Sequence, residues 1–290
     1  MYDILILGGG PAGLSAAVAA RQKNRTVLVI GNASASNPLW RAERIDNYPG
    51  LPGVTGAQLL EQFERHARDM GVEFVTGRAI SAMAMGEESF FLTVGNAVYE
   101  GRKLILAAGV TRGAKYPGEQ EYLGRGVSYC ATCDGMLYRN RPVVVVGRSK
   151  EAPLEANYLA SLGCQVTYVS PQAPGALDER IPFIRANRLE ITGEDTVTAL
   201  MADGAKLPCD AVFVLRESVA PTELFPELAT EKGTVVVDRQ MRTNLPGVFA
   251  AGDCTGKPLQ IAKAVGEGLI AAECAADELS ESERPAIKSQ

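Results

Sequence analysis

The chain has a single histidine, His66, among its 290 residues. That scarcity excludes a zinc site: Cys130 and Cys133 have neither a histidine pair nor a second Cys-x-x-Cys to complete four ligands. His66 itself falls in a helical stretch and reads as a surface residue. There is no basic excess, with 29 Lys+Arg spread against 34 Asp+Glu, so no nucleic-acid footprint exists. No apolar run approaches the about 18 residues of a membrane span, which excludes a membrane partner of that kind. The start, Met1-Tyr2-Asp3, lacks the basic region of a secretory signal, and the expected location is cytoplasmic. Without such a signal, the six cysteines do not read as a secreted disulfide framework. A hydrophobic content of 46% with 22% charged residues excludes disorder and coiled coil for the chain as a whole.

At about 150 residues per domain the length predicts two domains. Residues 2–7 form a short apolar run ending in Gly8-Gly9-Gly10-Pro11-Ala12-Gly13. A small-residue helix follows from Leu14 to about Arg21, then a second strand from Thr26 to Ile30. This is a βαβ unit opening on a parallel strand. The rhythm repeats with strand Val143–Val146, Gly147, a helix from about Glu151 to Leu162 and strand Gln165–Val169. Gly233–Val237 and Pro246–Asp253 read as strands returning to the first domain, followed by a helix from Ile261 to about Leu279 and a frayed tail, Ser280–Gln290. The expected fold class is α/β, with two Rossmann-like three-layer domains, the second inserted in the first. The expected boundaries are 1–112 and 220–290 for the domain that opens with the glycine turn and 113–219 for the insertion.

Gly8, Gly10 and Gly13 complete a G-x-G-x-x-G between strand and helix. The first makes the turn, the second admits a pyrophosphate to the backbone, and the third packs helix on strand, while the helix N-terminus offers N–H groups to phosphate. The second strand runs into Gly31-Asn32, where an acidic ribose partner is usual; Asn32 can hydrogen-bond a ribose hydroxyl instead. Asp253, in Gly247-Val248-Phe249-Ala250-Ala251-Gly252-Asp253, sits at a strand-to-helix turn. There it serves either as a helix cap or as acceptor for a polyol chain, the second half of a FAD site. Cys130-Ala131-Thr132-Cys133-Asp134 places two thiols three positions apart. Such a pair can close a disulfide, and such motifs lower one thiol's pKa to about 7 or below, so that it can attack a substrate disulfide.

The segment Gly124–Gly135 with Tyr138-Arg139-Asn140 resembles the active-site segment of low-molecular-weight thioredoxin reductases. Gly8–Gly13, Asn47-Tyr48-Pro49-Gly50, Ala107-Ala108-Gly109, Gly247–Asp253 and Gln260-Ile261-Ala262 with Gly266-Glu267-Gly268 match in the same order. The resemblance implies a FAD flavoprotein, usually a homodimer, that reduces thioredoxin or a thioredoxin-like protein. It implies that Cys133 faces the flavin, that Cys130 attacks the partner's disulfide, and that Asp134 handles the proton. Cofactor contacts would come from Gly8, Gly10, Pro11, Ala12, Gly13, Asn32, Ala108, Gly109 and Gly252. Asn47, Gln260 and Ile261 would lie at the isoalloxazine ring, and Asp253 at the ribitol. The larger disulfide reductases use a C-terminal histidine base, and this chain has none.

The second βαβ unit departs from the family pattern. It reads Gly147-Arg148-Ser149-Lys150-Glu151-Ala152 in place of Gly-x-Gly-x-x-Ala, and no arginine follows Val169 to hold a 2′-phosphate. Loss of the NAD(P)H site is therefore expected. The chain then resembles the ferredoxin-dependent flavin thioredoxin reductase group, with ferredoxin as donor. Arg139, Arg141, Arg148 and Lys150 would form a basic patch steering an acidic carrier if they share a face. The alternatives are a divergent NAD(P)H-dependent reductase using Arg148 and Lys150, an oxygen-dependent dithiol oxidase, a diflavin relative, and a flavin redox sensor without turnover. For the diflavin relative, Trp40, the only tryptophan, would either stack on a second flavin or be ordinarily buried. Cys164, Cys209 and Cys274 read as small core residues, and Cys254 lies beside Asp253 with no assigned role.

Overall fold

The computed structural model describes residues 1–86, 88–109, 115–216 and 221–283. It divides into two compact units, Met1–Thr111 with Val219–Gln290, and Arg112–Ser218. The second is thus an insertion in the first, and each is an α/β domain.

The first unit opens with β1 (Tyr2–Leu7), α1 (Pro11–Gln22) and β2 (Val27–Gly31). Helix α2 (Gly56–Asp69) leads to β3 (Glu73–Thr76), β4 (Ala79–Ala84), β5 (Phe90–Val94) and the long β6 (Ala97–Leu106). Helix α2 is started by a capping box in which Thr55 and Gln58 exchange side-chain and backbone hydrogen bonds. The parallel strands run in the order β3-β2-β1-β6, and β4 and β5 continue antiparallel from the N-terminal half of β6.

The parallel strands are apolar on both faces, as sheets covered on both sides require. Ile4, Ile6, Val27, Val29 and Ile105 meet helix α1, whereas Leu5, Leu7, Leu28, Ile30 and Leu104 meet the opposite layer. Helix α1 begins at Pro11, three residues before the expected Leu14, because proline at the first helical position loses no hydrogen bond.

The second unit contains β7 (Val127–Ser128), a one-turn helix α3 (Ala131–Asp134), β8 (Pro142–Arg148), α4 (Ala152–Ser161) and β9 (Gln165–Ser170). It continues through β10 (Phe183–Arg185), β11 (Leu189–Gly193), β12 (Val197–Ala202), β13 (Ala205–Pro208) and β14 (Ala211–Arg216). A parallel sheet runs β10-β9-β8-β14-β7, and β11-β12-β13 form an antiparallel meander. Strand alternation gives three layers. Val144, Val146, Val212 and Val214 pack under the meander, and Val143, Val145, Phe213 and Leu215 pack against α3 and α4.

The chain returns to the first unit through α5 (Pro221–Leu224), β15 (Thr230–Glu231), β16 (Thr234–Val235), β17 (Val248–Ala250) and α6 (Ile261–Ser282). Both expected strands return to this unit, though not to the same sheet. Of the returning strands only β17 joins the main sheet, parallel to β6, while Thr234–Val235 turns back on β15 as a separate hairpin. The tail is also more ordered than its polarity suggests, for α6 continues to Ser282. Arg25 donates to Ser280 Oγ at 2.6 Å and to Glu283 Oε1 at 2.9 Å, and Arg102 to Ser282 Oγ at 3.1 Å. Residues 284–290 lie outside the described chain.

Candidate functional site: a dinucleotide cradle and a redox disulfide

In the first unit the carboxyl ends of β1, β2, β6 and β17 converge, as ligand-binding crevices of open α/β sheets do. The three motif glycines have different duties. A Cβ on Gly8 would sit 2.2 Å from Ala107 O, and one on Gly13 would sit 1.9 Å from Gly8 O, so both are demanded by packing. A Cβ on Gly10 would meet only Asn37 Nδ2, at 3.0 Å, and one on Gly9 nothing within 4 Å. Gly10 thus borders open space at the N-terminus of α1. Among the described residues no side chain caps that terminus, and its first turn holds no acidic residue. Pro11 and Ala12 begin the helix there, and Ala108 and Gly109 follow β6 beside Gly8. Asn32, just past β2, is exposed.

The second half of the cradle meets the first at Ala12. Gly268 of α6 allows this approach, since a Cβ there would lie 2.1 Å from Ala12 O. Gly252 has a φ of +85°, and its Cβ would lie 2.7 Å from that of Ala12. Asp253 follows, half-buried, and its carboxylate receives no hydrogen bond from the described residues. Burial lifts its pKa above the ordinary carboxylate range, Glu267 adds to the effect, and Lys263 opposes it.

Lys263 and Glu267 are residues the sequence reading did not single out for a role. Lys263 Nζ donates to Gly252 O at 2.8 Å, Thr255 Oγ1 at 2.8 Å and Gly256 O at 2.7 Å, and pairs with Glu267 at 3.2 Å. Glu267 Oε2 accepts from Gly252 N at 2.8 Å. Together they lock the turn that presents Asp253; the only local signal is an i,i+4 pair, which reads as an ordinary helix-surface pair.

Asn47 and Gln260, 213 positions apart, come together with Asn47 Nδ2 donating to Gln260 Oε1 at 2.8 Å. Ile261 begins α6 beside them. Asn37 was also missed: its Oδ1 accepts from Leu39 N at 2.9 Å, which leaves its amide nitrogen toward the Gly10 turn. Trp40 is half-buried and packs on the core around α1. Cys254 is buried, donates to Leu106 O and Ala251 O, and has its pKa pushed up to about 11 by burial. Cys164 and Cys209 are buried too, Cys274 is partly so, and His66 is exposed.

In the second unit, Cys130 and Cys133 form a disulfide across 5.4 Å between their Cα atoms. Cys130 is 6% exposed, whereas Cys133 is exposed. Cys130 Sγ accepts from Cys133 N at 3.0 Å and lies 3.4 Å from Thr132 Oγ1. Both contacts favour negative charge on that sulfur. The Cys130 backbone is held by the buried Ser128, whose Oγ accepts from Cys130 N at 3.0 Å and donates to Cys130 O at 3.2 Å. Asp134 is half-buried, and the Tyr138 phenol is raised in pKa by burial first and then by the Asp134 charge.

The second βαβ turn differs physically from the first. Ser149 Oγ accepts from Ala152 N at 3.1 Å, Pro153 has no N–H, and Leu154 N donates to Glu151 O at 2.9 Å. The first-turn donors of α4 are therefore used or missing, and Glu151 and Glu155 put negative charge there. The space above Gly147 is filled as well, because a Cβ on it would lie 1.8 Å from Tyr168 Oη. The expected basic patch does not assemble. Arg139 and Arg141 precede β8 and Arg148 and Lys150 end or follow it, so about 20 Å of strand separates the pairs.

The family described as pyridine nucleotide-disulphide oxidoreductase matches residues 2–268. A thioredoxin reductase of Listeria monocytogenes is 34% identical, over 97% of this chain and 96% of its own. A ferredoxin-flavin thioredoxin reductase structure from Clostridium acetobutylicum aligns with a TM-score of 0.89 at 42% identity, covering 97% of this chain and 98% of that one. A thioredoxin reductase structure from Gloeobacter violaceus aligns with a TM-score of 0.80 at 34% identity, covering 100% and 97%. The chain belongs to the pyridine nucleotide-disulphide oxidoreductase family. Within it the chain is a flavin disulfide oxidoreductase of thioredoxin reductase type, and its cofactor is FAD. The residues present fit that cofactor. The α1 terminus leaves an anion uncapped N–H groups beside the open face of Gly10, and Asp253 offers a carboxylate that accepts no hydrogen bond from the described residues.

Proposed function

We propose that this enzyme reduces the disulfide of thioredoxin or a thioredoxin-like protein, with electrons from ferredoxin or a similar one-electron carrier rather than from NAD(P)H. The observation that carries the choice of donor is the contrast between two helix termini. The α1 terminus is open to a pyrophosphate, while the α4 terminus is closed by Ser149, Pro153 and Tyr168. The likeness to a ferredoxin-flavin thioredoxin reductase supports the same reading.

FAD, when bound, supplies the step between one-electron delivery and the two-electron opening of the disulfide. Its diphosphate would lie over Gly10 at Pro11–Gly13, its ribitol at Asp253, and its ring near Asn47 and Gln260. Once the pair is reduced, the Cys130 thiolate attacks one sulfur of the partner's disulfide, and the other leaves as a thiolate. The Cys133 thiolate then attacks Cys130 Sγ in the mixed disulfide, releases the partner's second thiol and restores the Cys130–Cys133 bond. Asp134 transfers protons between the departing thiolates and Cys133. The Cys133 N–H and the Thr132 hydroxyl favour Cys130 as the attacking sulfur. At 6% exposure it must be uncovered before a protein can reach it. A homodimer in the cytoplasm completes the proposal.

Trapping tests the division of labour. Cys133→Ser should accumulate a mixed disulfide between Cys130 and the thioredoxin-like substrate, while Cys130→Ser should form none and keep its FAD. A stable mixed disulfide in Cys130→Ser alone would reverse the two roles.

A further inference from the structure

Five side chains of the second unit that the proposed reaction does not use gather around the carboxyl ends of β8 and β14. Arg148 and Arg216 are register partners at the ends of those strands. Between β8 and β14 the sheet order reverses, and in open α/β sheets that is where a ligand lies. The chain places its own phenol there. Arg148 Nε donates to Tyr116 Oη at 2.5 Å, and the Arg148 and Arg216 guanidinium carbons lie 5.5 and 5.4 Å from the Tyr116 ring centre.

Glu119 anchors this group and is fully buried, at 0% exposure. Arg216 grips it with two prongs, Nη1 to Oε1 at 2.5 Å and Nη2 to Oε2 at 2.7 Å. Tyr116 N donates to Oε2 at 2.8 Å and Tyr129 Oη to Oε1 at 3.0 Å. Burial alone would raise the Glu119 pKa, but these donors bring it below its ordinary value, so the carboxylate stays charged. An ion pair this deep is expensive to desolvate, and apolar residues would fill the same volume. What distinguishes it is where it points: Tyr129 immediately precedes Cys130.

We propose that Glu119, clamped by Arg216, is a positioning residue for the redox disulfide, holding Cys130 through the Tyr129 hydroxyl so that its sulfur stays on the Cys133 N–H. The Ser128 hydroxyl fixes the Cys130 peptide from within the strand, and the Tyr129–Glu119 bond fixes the approach to it from the core. Both restraints raise the effective concentration of Cys130 against Cys133, and both keep the reduced Cys130 sulfur near its donor at 3.0 Å. The inference concerns thiol geometry alone and stands whichever donor feeds the flavin.

The test is Tyr129→Phe in the FAD-loaded enzyme, which keeps the ring and removes one hydroxyl. Anaerobic equilibration with graded ratios of reduced to oxidised dithiothreitol sets the exchange between the enzyme's disulfide and the reagent's dithiol. Alkylation and mass spectrometry of the peptide carrying Cys130 and Cys133 then read the open fraction. Losing the hydrogen bond should lower the equilibrium constant for closing the disulfide about threefold to tenfold. It should also move the pH midpoint of Cys130 alkylation upward. Arg216→Lys keeps the charge without the two-pronged grip and should shift both readouts in the same direction. Tyr122→Phe removes a hydroxyl bound to Gly193 O at 2.9 Å in the same core, and should lose stability with both readouts unchanged. Wild-type values in Tyr129→Phe and Arg216→Lys overturn the proposal. Equal shifts in Tyr122→Phe also overturn it, because the effect would then be general loosening.

Discussion

Adding one methyl group at Gly10 or at Gly13 should have opposite consequences, although both glycines belong to one motif. At Gly13 the new Cβ would lie 1.9 Å from Gly8 O, a backbone atom that cannot swing aside. Overpacking of that kind costs roughly 1–3 kcal/mol or more, so Gly13→Ala should lower apoprotein stability by at least about 2 kcal/mol. At Gly10 the nearest atom is Asn37 Nδ2 at 3.0 Å, the movable end of a side chain, and φ is −90°. Alanine is a poorer helix cap than glycine by about 0.5–1 kcal/mol, and its stiffer unfolded chain returns about 0.4–1 kcal/mol. The Gly10→Ala apoprotein should therefore match wild type within about 1 kcal/mol. The methyl group would, however, stand where the proposed binding mode brings the FAD diphosphate. The same packing penalty, set against bound FAD, corresponds to a loss of affinity of roughly 5-fold to 150-fold. Denaturant unfolding of the apoproteins and fluorescence titration with FAD separate the two effects. Wild-type FAD affinity in Gly10→Ala would refute the claim that the cofactor crosses Gly10.

Asp253→Asn should weaken FAD binding about tenfold to a hundredfold, the worth of a hydrogen bond to a charged acceptor. Its apoprotein should respond differently. The raised pKa of Asp253 means that its charged form costs stability, a cost absent below the unfolded carboxylate pKa of about 4 and present once pH rises through the folded value. The variant should thus equal wild type in acid and exceed it at neutral pH in thermal melts, and a loss at neutral pH would contradict this. Lys263→Met leaves Glu267, Gly252 O and Gly256 O without their cation. It should cost on the order of 3 kcal/mol in urea unfolding and speed FAD release, whereas a loss below about 1 kcal/mol would show the network to be peripheral.

Features set by near neighbours in the chain were legible before any coordinates. The strand at residues 2–7, the glycine turn and the Cys-x-x-Cys pair each depend on spacing of a few residues, and each lies where spacing puts it. The second nucleotide turn was partly legible. Ser149 and Glu151 stand out in the motif, but closure also depends on Pro153, one residue past it, and on Tyr168 from the next strand. Arg139, Arg141, Arg148 and Lys150 look adjacent in sequence, yet strand β8 lies between the pairs and carries them to its opposite ends. Glu119 and Arg216 are 97 positions apart, and no local pattern marks either as a partner of the other. The helical Ser280–Ser282 escaped notice because its restraint comes from Arg25 and Arg102, on distant strands or turns of the first unit.

Anaerobic reduction of the bound FAD tests the choice of donor most directly. Excess NADPH, then NADH, is added to the purified enzyme and the visible absorbance of the flavin is followed; reduced ferredoxin is then supplied with an oxidised thioredoxin. The account predicts no bleaching by either nucleotide, then bleaching by ferredoxin and release of thioredoxin thiols that depends on Cys130. Rapid bleaching by NADPH or NADH would contradict it, showing that a nucleotide finds a way past Ser149, Pro153 and Tyr168.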